Sequence, residues 1–509
     1  MTKTIKKTIV TMLAAALVCS CGQLNDDTQQ DCDCENNTVT NNEASLVLRL
    51  EPNAGGATRS AEDSYDYTQG TPEEYRVNTA RVYLFESRSK LFDKSVLVTN
   101  LTRQGSDQQG NVVYETERIS VPQGTYDIFV VANSDRQMDT SDEMTFLSDI
   151  DAATYQQGLV TDISRGIVMT NRASANLGVT LTHSSEGTDN VVSVSLERVL
   201  ARLDVAKGSD SFALTDNLLQ RYATVTLTDF YIVNVPRQYY SWRHTAQLTS
   251  LDEPSWSLDL HFGNVSDVDG YVIDPYFFHK TLDASGFTNA DKYYEHYYGD
   301  IKAGIRLDWS AFNPAAATPQ YKTAYCTENC MLAPAQKNGY TTGVVFRAKL
   351  EPNNNVYQLA SDGQTLELAT GAAAQPEVLY YYEYRFYNSP EALAKGVGVT
   401  SVSAANLDIY QARKFEKTDD GYQCYYRYWI RHLDNNDPTQ MGVMEFGVVR
   451  NNLYRMLITN VSGVGDAMSG DDPLNPPFNP DIPDEGETQL KVILNVKPWI
   501  VRDLTNIVL

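Results

Sequence analysis

Between Ser45 and Glu51 the chain reads SLVLRLE, and apolar and polar side chains alternate as a half-buried strand requires. The same two-residue period returns along the body. It marks RVYLFE (81–86), SVLVTN (95–100), VVYETE (112–117), TYDIFVVAN (125–133), VVSVSLE (191–197), ATVTLTDFYIVNV (223–235), TGVVFRAKLE (342–351), VLYYYEYRFYN (378–388), CYYRYWIRHL (424–433) and NLYRMLITNV (452–461). Turn chemistry such as PQG at 122–124 and DDG at 419–421 separates several of these runs. Stretches of 3.6-residue period are few and short, around 141–157 and 390–395. The pattern therefore predicts a mostly antiparallel, all-β sandwich architecture with a few short helices rather than βαβ units. No short tandem repeat is present, which argues against solenoids and propellers.

Two composition shifts divide the chain. KGSDSFALTD at 207–216 predicts a boundary between an N-terminal sandwich over 60–210 and a C-terminal one over 211–509. GVGDAMSGDDPLNPPFNPDIPDEGE, residues 463–487, is rich in Pro, Asp and Gly and has no apolar period, so it reads as an extended linker. Beyond it, Leu490, Val492, Leu494 and Val496 alternate on one face, and Pro498 removes a ladder donor and favours a bend.

The first twenty residues change the picture from a plain sandwich protein to an exported one. Lys3, Lys6 and Lys7 precede the apolar run Ile9–Val18, which is too short to span a bilayer core of about 30 Å and fits a signal peptide. It ends in VCSC, a lipobox-like sequence that predicts acylation at Cys21, followed by a polar leader to residue 42. The membrane is then touched only through lipid on the precursor. The formal net charge of −24 excludes nucleic acid as a partner, because phosphate contacts need Lys and Arg.

Candidate chemistry is sparse. Of seven cysteines, Cys326, Cys330 and Cys424 lie in the body, enough for one bridge at most. CTENC has no second Cys or His pair at ligand spacing, so no metal and no cofactor is expected. The six histidines form no HExxH, no GxSxG is present, and SDVDGYVID lacks the later ligands of a calcium loop. No catalytic residue is predicted and the chain is not read as an enzyme. The aromatic runs YFFHK and YYEHYYGD suit a sandwich core, or a surface that stacks on sugars. A monomeric surface lipoprotein that binds a glycan or host ligand is the alternative.

Arg59 sits in NAGGATRSAEDS, where small and polar residues favour proteolysis. Arg49 lies inside a strand pattern and Arg76 beside the next one, so a protease reaches Arg59 more readily. Cutting there separates the strand that carries Leu46, Leu48 and Leu50 from the body.

Several ordered blocks resemble the fimbrillins, type V pilus subunits of Bacteroides-like anaerobes, and most of all the shaft subunit of minor fimbriae. The blocks are ATRSAED, TYDIFVVANSD, VSLERVLARLDV, AYCTENC with TTGVVFRAKL, FGVVRNNLYRMLITNVSGVG, the Pro/Asp linker and LNVKPW. The leader's CDCENN departs from the pattern. The resemblance implies two tandem transthyretin-like sandwiches, export as an outer-membrane lipoprotein and display on a surface fimbrium that serves adhesion and biofilm formation. It also implies an arginine-specific surface protease that cuts between Arg59 and Ser60 and removes residues 21–59. The C-terminal strand of another copy, residues 499–509, then fills the groove. Trp499, Ile500, Val501, Leu504, Ile507, Val508 and Leu509 are the donor candidates. Implied partners are other copies of the chain, anchor and tip subunits, and host or bacterial surface receptors. The chain has both the cleavage loop and the terminal strand, which favours a shaft subunit over the anchor or tip alternatives.

Overall fold

The computed structural model describes residues 43–52, 70–106, 112–152, 163–183, 189–247, 270–282, 293–294, 305–316, 320–337, 339–433, 442, 444–467 and 489–498. Residues 43–509 belong to one compact unit, and its described part is all-β with a few short helices.

Two sandwich systems follow each other along the chain. The first is a ten-stranded sheet in which Phe92–Val98, Ala80–Glu86, Gly124–Ala132, Met169–Asn171, Asn190–Arg198, Glu43–Glu51, Val112–Thr116 and Leu101–Ser106 are successive neighbours. It curls around an apolar core that takes Ala80, Val82 and Leu84 from one face of Ala80–Glu86. The opposite face of that strand is covered too. Tyr83 and Phe85 pack with Phe129, Phe146 and Trp242 in a second aromatic cluster. Phe146 lies on the short helix Glu143–Leu147, inside the helical stretch predicted at 141–157, and Asp142 caps it by accepting from the Thr145 amide at 2.9 Å.

The second system packs a four-stranded sheet against an eleven-stranded one. In the smaller sheet Leu200–Lys207 lies between Lys322–Thr327 and Asn452–Val461, and Leu490–Pro498 forms its edge. One core spans the two sheets. Leu203, Val205, Tyr454 and Met456 from the first meet Val225, Phe230, Phe346 and Tyr426 from the second. The helix predicted at 390–395 is Pro390–Val397, capped by Ser389 and closed by Gly398 in a left-handed conformation, φ 84°.

The block VSLERVLARLDV contributes to two sheets. Asn190–Arg198 ends the first sheet, and after Val199 the chain enters the second as Leu200–Lys207. Every residue of Leu200–Lys207 is buried, so neither composition nor alternation marks the switch, and the boundary expected at 207–216 falls instead within the second system. Most pairings are antiparallel, but Glu43–Glu51 runs parallel to Asn190–Arg198, and Leu200–Lys207 parallel to Asn452–Val461.

Candidate functional site

The strand Glu43–Glu51 is the first described element, yet it sits inside its sheet. On one edge it pairs in parallel with Asn190–Arg198, from Leu46 opposite Asn190 to Glu51 opposite Ser195. On the other it pairs antiparallel with Ile119–Pro122 and then with Val112–Thr116. Between Leu46 opposite Ile119 and Arg49 opposite Glu115 the register slips, three steps on the first strand matching four on its neighbours. The Leu48 amide falls at that slip and donates to the Thr116 hydroxyl at 2.9 Å, so it keeps a partner where the ladder breaks.

The alternation read from SLVLRLE is what the fold uses. Leu46, Leu48 and Leu50 are 0% exposed and lie in the first core beside Val82, Tyr114, Ile128, Val130 and Leu196. Polar side chains tie down the other edge and the strand's start. The Ser45 hydroxyl donates to the Asp189 carboxylate, and Asn190 Nδ2 donates to the Ser45 carbonyl at 3.0 Å. His183 Nδ1 lies 2.8 Å from the Glu43 carbonyl, and Arg49 pairs with Glu115 at 3.2 Å. The Ser45 hydroxyl, with Arg118 beside it, holds the Asp189 carboxyl below its usual range. Thr116, Asp189, Asn190 and His183 escaped the sequence reading, because each is an ordinary polar residue until the fold brings it to this strand.

Residues 53–69, which include Arg59 and Ser60, lie outside the described residues, as do Cys21 and the donor candidates Trp499, Ile500, Val501, Leu504, Ile507, Val508 and Leu509. The chain resumes at the helix Pro72–Tyr75, and there it is pinned by buried charge. The Glu74 carboxylate accepts from Arg202 Nη1 at 2.8 and 2.9 Å and from the Tyr325 hydroxyl at 2.7 Å, while Arg198 Nε donates to the Glu74 carbonyl at 2.8 Å. Arg202 also clasps Asp204 through two bonds. These residues join the two sandwiches. The segment that follows residues 53–69 is therefore held to the body by contacts that do not involve the first strand.

At the other end, Leu490 is buried in the second core and Val492 and Leu494 pack against it. The strand's pairing with Asn452–Val461 runs to Pro498 opposite Asn452. Of the aromatic runs, Phe277, Lys280 and Tyr294 are buried, whereas Tyr276 and Tyr293 are half-buried and His279 is exposed. Cys326, Cys330 and Cys424 are free and buried, and burial pushes the Cys424 thiol up to about 12. Among the described residues no group of three or more His, Cys, Asp or Glu could hold a metal, and no helix is long and apolar enough to cross a membrane.

Comparison with known proteins gives two family matches. The profile of the major fimbrial subunit protein (FimA) matches residues 44–198, from the first strand to the residue before the sheet switch. The profile of major fimbrial subunit protein type IV, fimbrillin, C-terminal, matches residues 420–505. No curated protein matches the chain. Among solved structures, a putative cell adhesion protein from Parabacteroides distasonis is 14% identical, with 90% of this chain and 99% of that chain covered at a TM-score of 0.43. A fimbrilin from Porphyromonas gingivalis W83 is 14% identical, with coverage of 90% and 98% and a TM-score of 0.42. A tip fimbrial protein from Porphyromonas gingivalis is 13% identical, with coverage of 89% and 100% and a TM-score of 0.36. With one profile opening on the first strand and the other running through Leu490–Pro498, both ends of the described chain are similar to fimbrial subunit proteins of the fimbrillin type.

Proposed function

We propose that the chain is the shaft subunit of a surface fimbria. It is exported as a lipoprotein on Cys21, cut between Arg59 and Ser60 by an arginine-specific protease, and polymerised when the C-terminal strand of another copy replaces its own first strand. One observation carries this reading. Glu43–Glu51 is hydrogen-bonded on both edges and supplies three fully buried leucines, yet it connects to the rest of the chain only through residues 53–69, which contain Arg59.

Burying Leu46, Leu48 and Leu50 contributes roughly 1.5–3 kcal/mol each. Removing the strand exposes that apolar surface and leaves two rows of backbone groups without partners. A strand from another subunit restores both, by the same physics as any strand addition. The entering strand must run parallel to Asn190–Arg198 and antiparallel to Val112–Thr116 and Ile119–Pro122. The edge strand Leu490–Pro498 is held in its own sandwich by Leu490, Val492 and Leu494, and the residues after it, 499–509, are the proposed donor.

The role is structural rather than catalytic and needs no cofactor. Other partners are the anchor and tip subunits and surface receptors. N-terminal sequencing of protein extracted from assembled surface fibres tests the reading and should return Ser60. Acylated Cys21 at the start of assembled material would overturn the shaft role in favour of an anchor subunit or a monomeric lipoprotein.

A further inference from the structure

Lys280, Asn329 and Asp274 meet in the interior of the second half of the chain, and strand exchange makes no use of them. Asp274 follows the strand Gly270–Ile273 and starts the helix Phe277–Leu282. One of its carboxylate oxygens accepts from the Tyr276 amide at 2.8 Å, the other from the Cys330 amide at 2.7 Å. Lys280, on the helix, brings Nζ to 2.7 Å from that second oxygen and to 2.7 Å from Asn329 Oδ1. Exposure is 2% for Lys280, 1% for Asp274 and 0% for Asn329, and the surroundings are Val272, Ile273, Phe277, Leu332, Met444 and Val449.

Asn329 cannot turn away. Its backbone exchanges two hydrogen bonds with Val448, both 2.9 Å. Its amide nitrogen Nδ2 faces the Tyr340 carbonyl at 2.7 Å, the Thr342 hydroxyl at 2.9 Å and the Asn234 carbonyl at 3.3 Å. A carboxamide nitrogen has two hydrogens and departing ammonia has three, so three acceptors around Nδ2 suit the leaving group better than the resting side chain. An amine, a carboxamide and a carboxylate held together away from water are the parts of an acyl transfer.

We propose that Lys280 and Asn329 become joined by an intramolecular isopeptide bond that the chain forms by itself. Asp274 takes a proton from the Lys280 ammonium, and the freed amine attacks Asn329 Cγ. As the Nζ–Cγ bond forms, the second proton leaves Nζ for Nδ2. The Cγ–Nδ2 bond then breaks, and Asp274 returns its proton to the ammonia. The balance is ammonium side chain plus carboxamide going to secondary amide plus ammonium ion, with no change of oxidation state and Asp274 restored. Exclusion of water keeps hydrolysis from competing at Cγ. The bond ties the helix Phe277–Leu282 to the segment after Lys322–Thr327, a covalent brace across the second half of the subunit.

Intact mass and tryptic mapping of the purified protein test this. The wild type should be lighter than its sequence by one ammonia, about 17 Da, and should yield a branched peptide that joins uncut Lys280 to the Asn329 peptide. Asp274→Ala, which keeps both bonded partners, should restore the full mass, as should Lys280→Met and Asn329→Ala. Should these variants fail to fold, the wild-type map alone decides. Separate peptides with cleavage after Lys280 overturn the proposal. So does a loss of the same mass without a branched peptide, which a succinimide or a cyclised N-terminus would produce.

Discussion

His244 and His432 are both buried. His244 Nε2 lies 2.8 Å from the Leu147 carbonyl, so that nitrogen carries the hydrogen, and the ring stacks on Tyr240 at 3.8 Å. His432 Nδ1 lies 2.8 Å from the Tyr454 hydroxyl. Burial lowers both imidazoles to about 4, with the charges of Arg450 and Arg243 adding to the effect at His244 and His432 respectively. The unfolded chain, with imidazoles near 6.5, binds these protons more readily than the native one. Stability is therefore complete above pH 6.5 and falls as the pH drops towards 4, by about 3 kcal/mol for each ring. Urea unfolding should show a lower midpoint at pH 5 than at pH 7, and His244→Gln with His432→Gln should flatten that slope. An unchanged midpoint between pH 7 and pH 4.5 in the wild type would contradict the assignment.

Among elements, the proposed function makes Glu43–Glu51 and residues 53–69 the parts that decide when the chain can assemble. On that reading, with the chain uncut, the groove is filled by a strand of the same chain at high effective concentration, and no external strand competes. Arg59→Ala should leave a folded, lipid-bound monomer with unaltered thermal stability and no fibres, because every contact of the first strand is retained. Normal fibre levels in this variant would mean that cleavage occurs elsewhere, with Arg76 the nearest candidate, or is not needed. After cleavage, the Glu74 cluster with Arg198, Arg202 and Tyr325 still holds the new N-terminal segment to the body. On the proposed reading, the groove is emptied without loosening the joint between the sandwiches.

At the scale of the whole molecule, the two sandwiches meet at a buried polar joint that includes Glu74, Arg198, Arg202 and Tyr325, and each keeps its own core. Deletion of residues 500–509 removes no described strand from either. The truncated protein should fold, be cut at Arg59, and fail to form the ladders of SDS-resistant oligomers that protease treatment otherwise produces. Unfolding on truncation would make the segment an ordinary core strand, and continued polymerisation would rule out strand exchange through this end.

The order of hydrophobic and polar residues by itself determined the fold class, many of the strands and the face that Leu46, Leu48 and Leu50 bury, because a pleated strand with one covered face imposes a period of two; the run 378–388, read as one strand, is instead a hairpin of Val378–Tyr382 and Arg385–Tyr387. The family blocks, too, were legible in the one-dimensional string. Tertiary structure alone decided the rest. Alternation cannot say which strands pair, so the parallel match of Glu43–Glu51 with Asn190–Arg198 and the interior place of the first strand emerge only from the assembled sheet. Nor could it find the switch at Val199, since Leu200–Lys207 is buried on both faces, Arg202 and Asp204 included. Residues far apart in sequence, such as Thr116 with Leu48 or Lys280 with Asn329, have no local signature. Their chemistry exists only because long-range packing excludes water around them and fixes their distance.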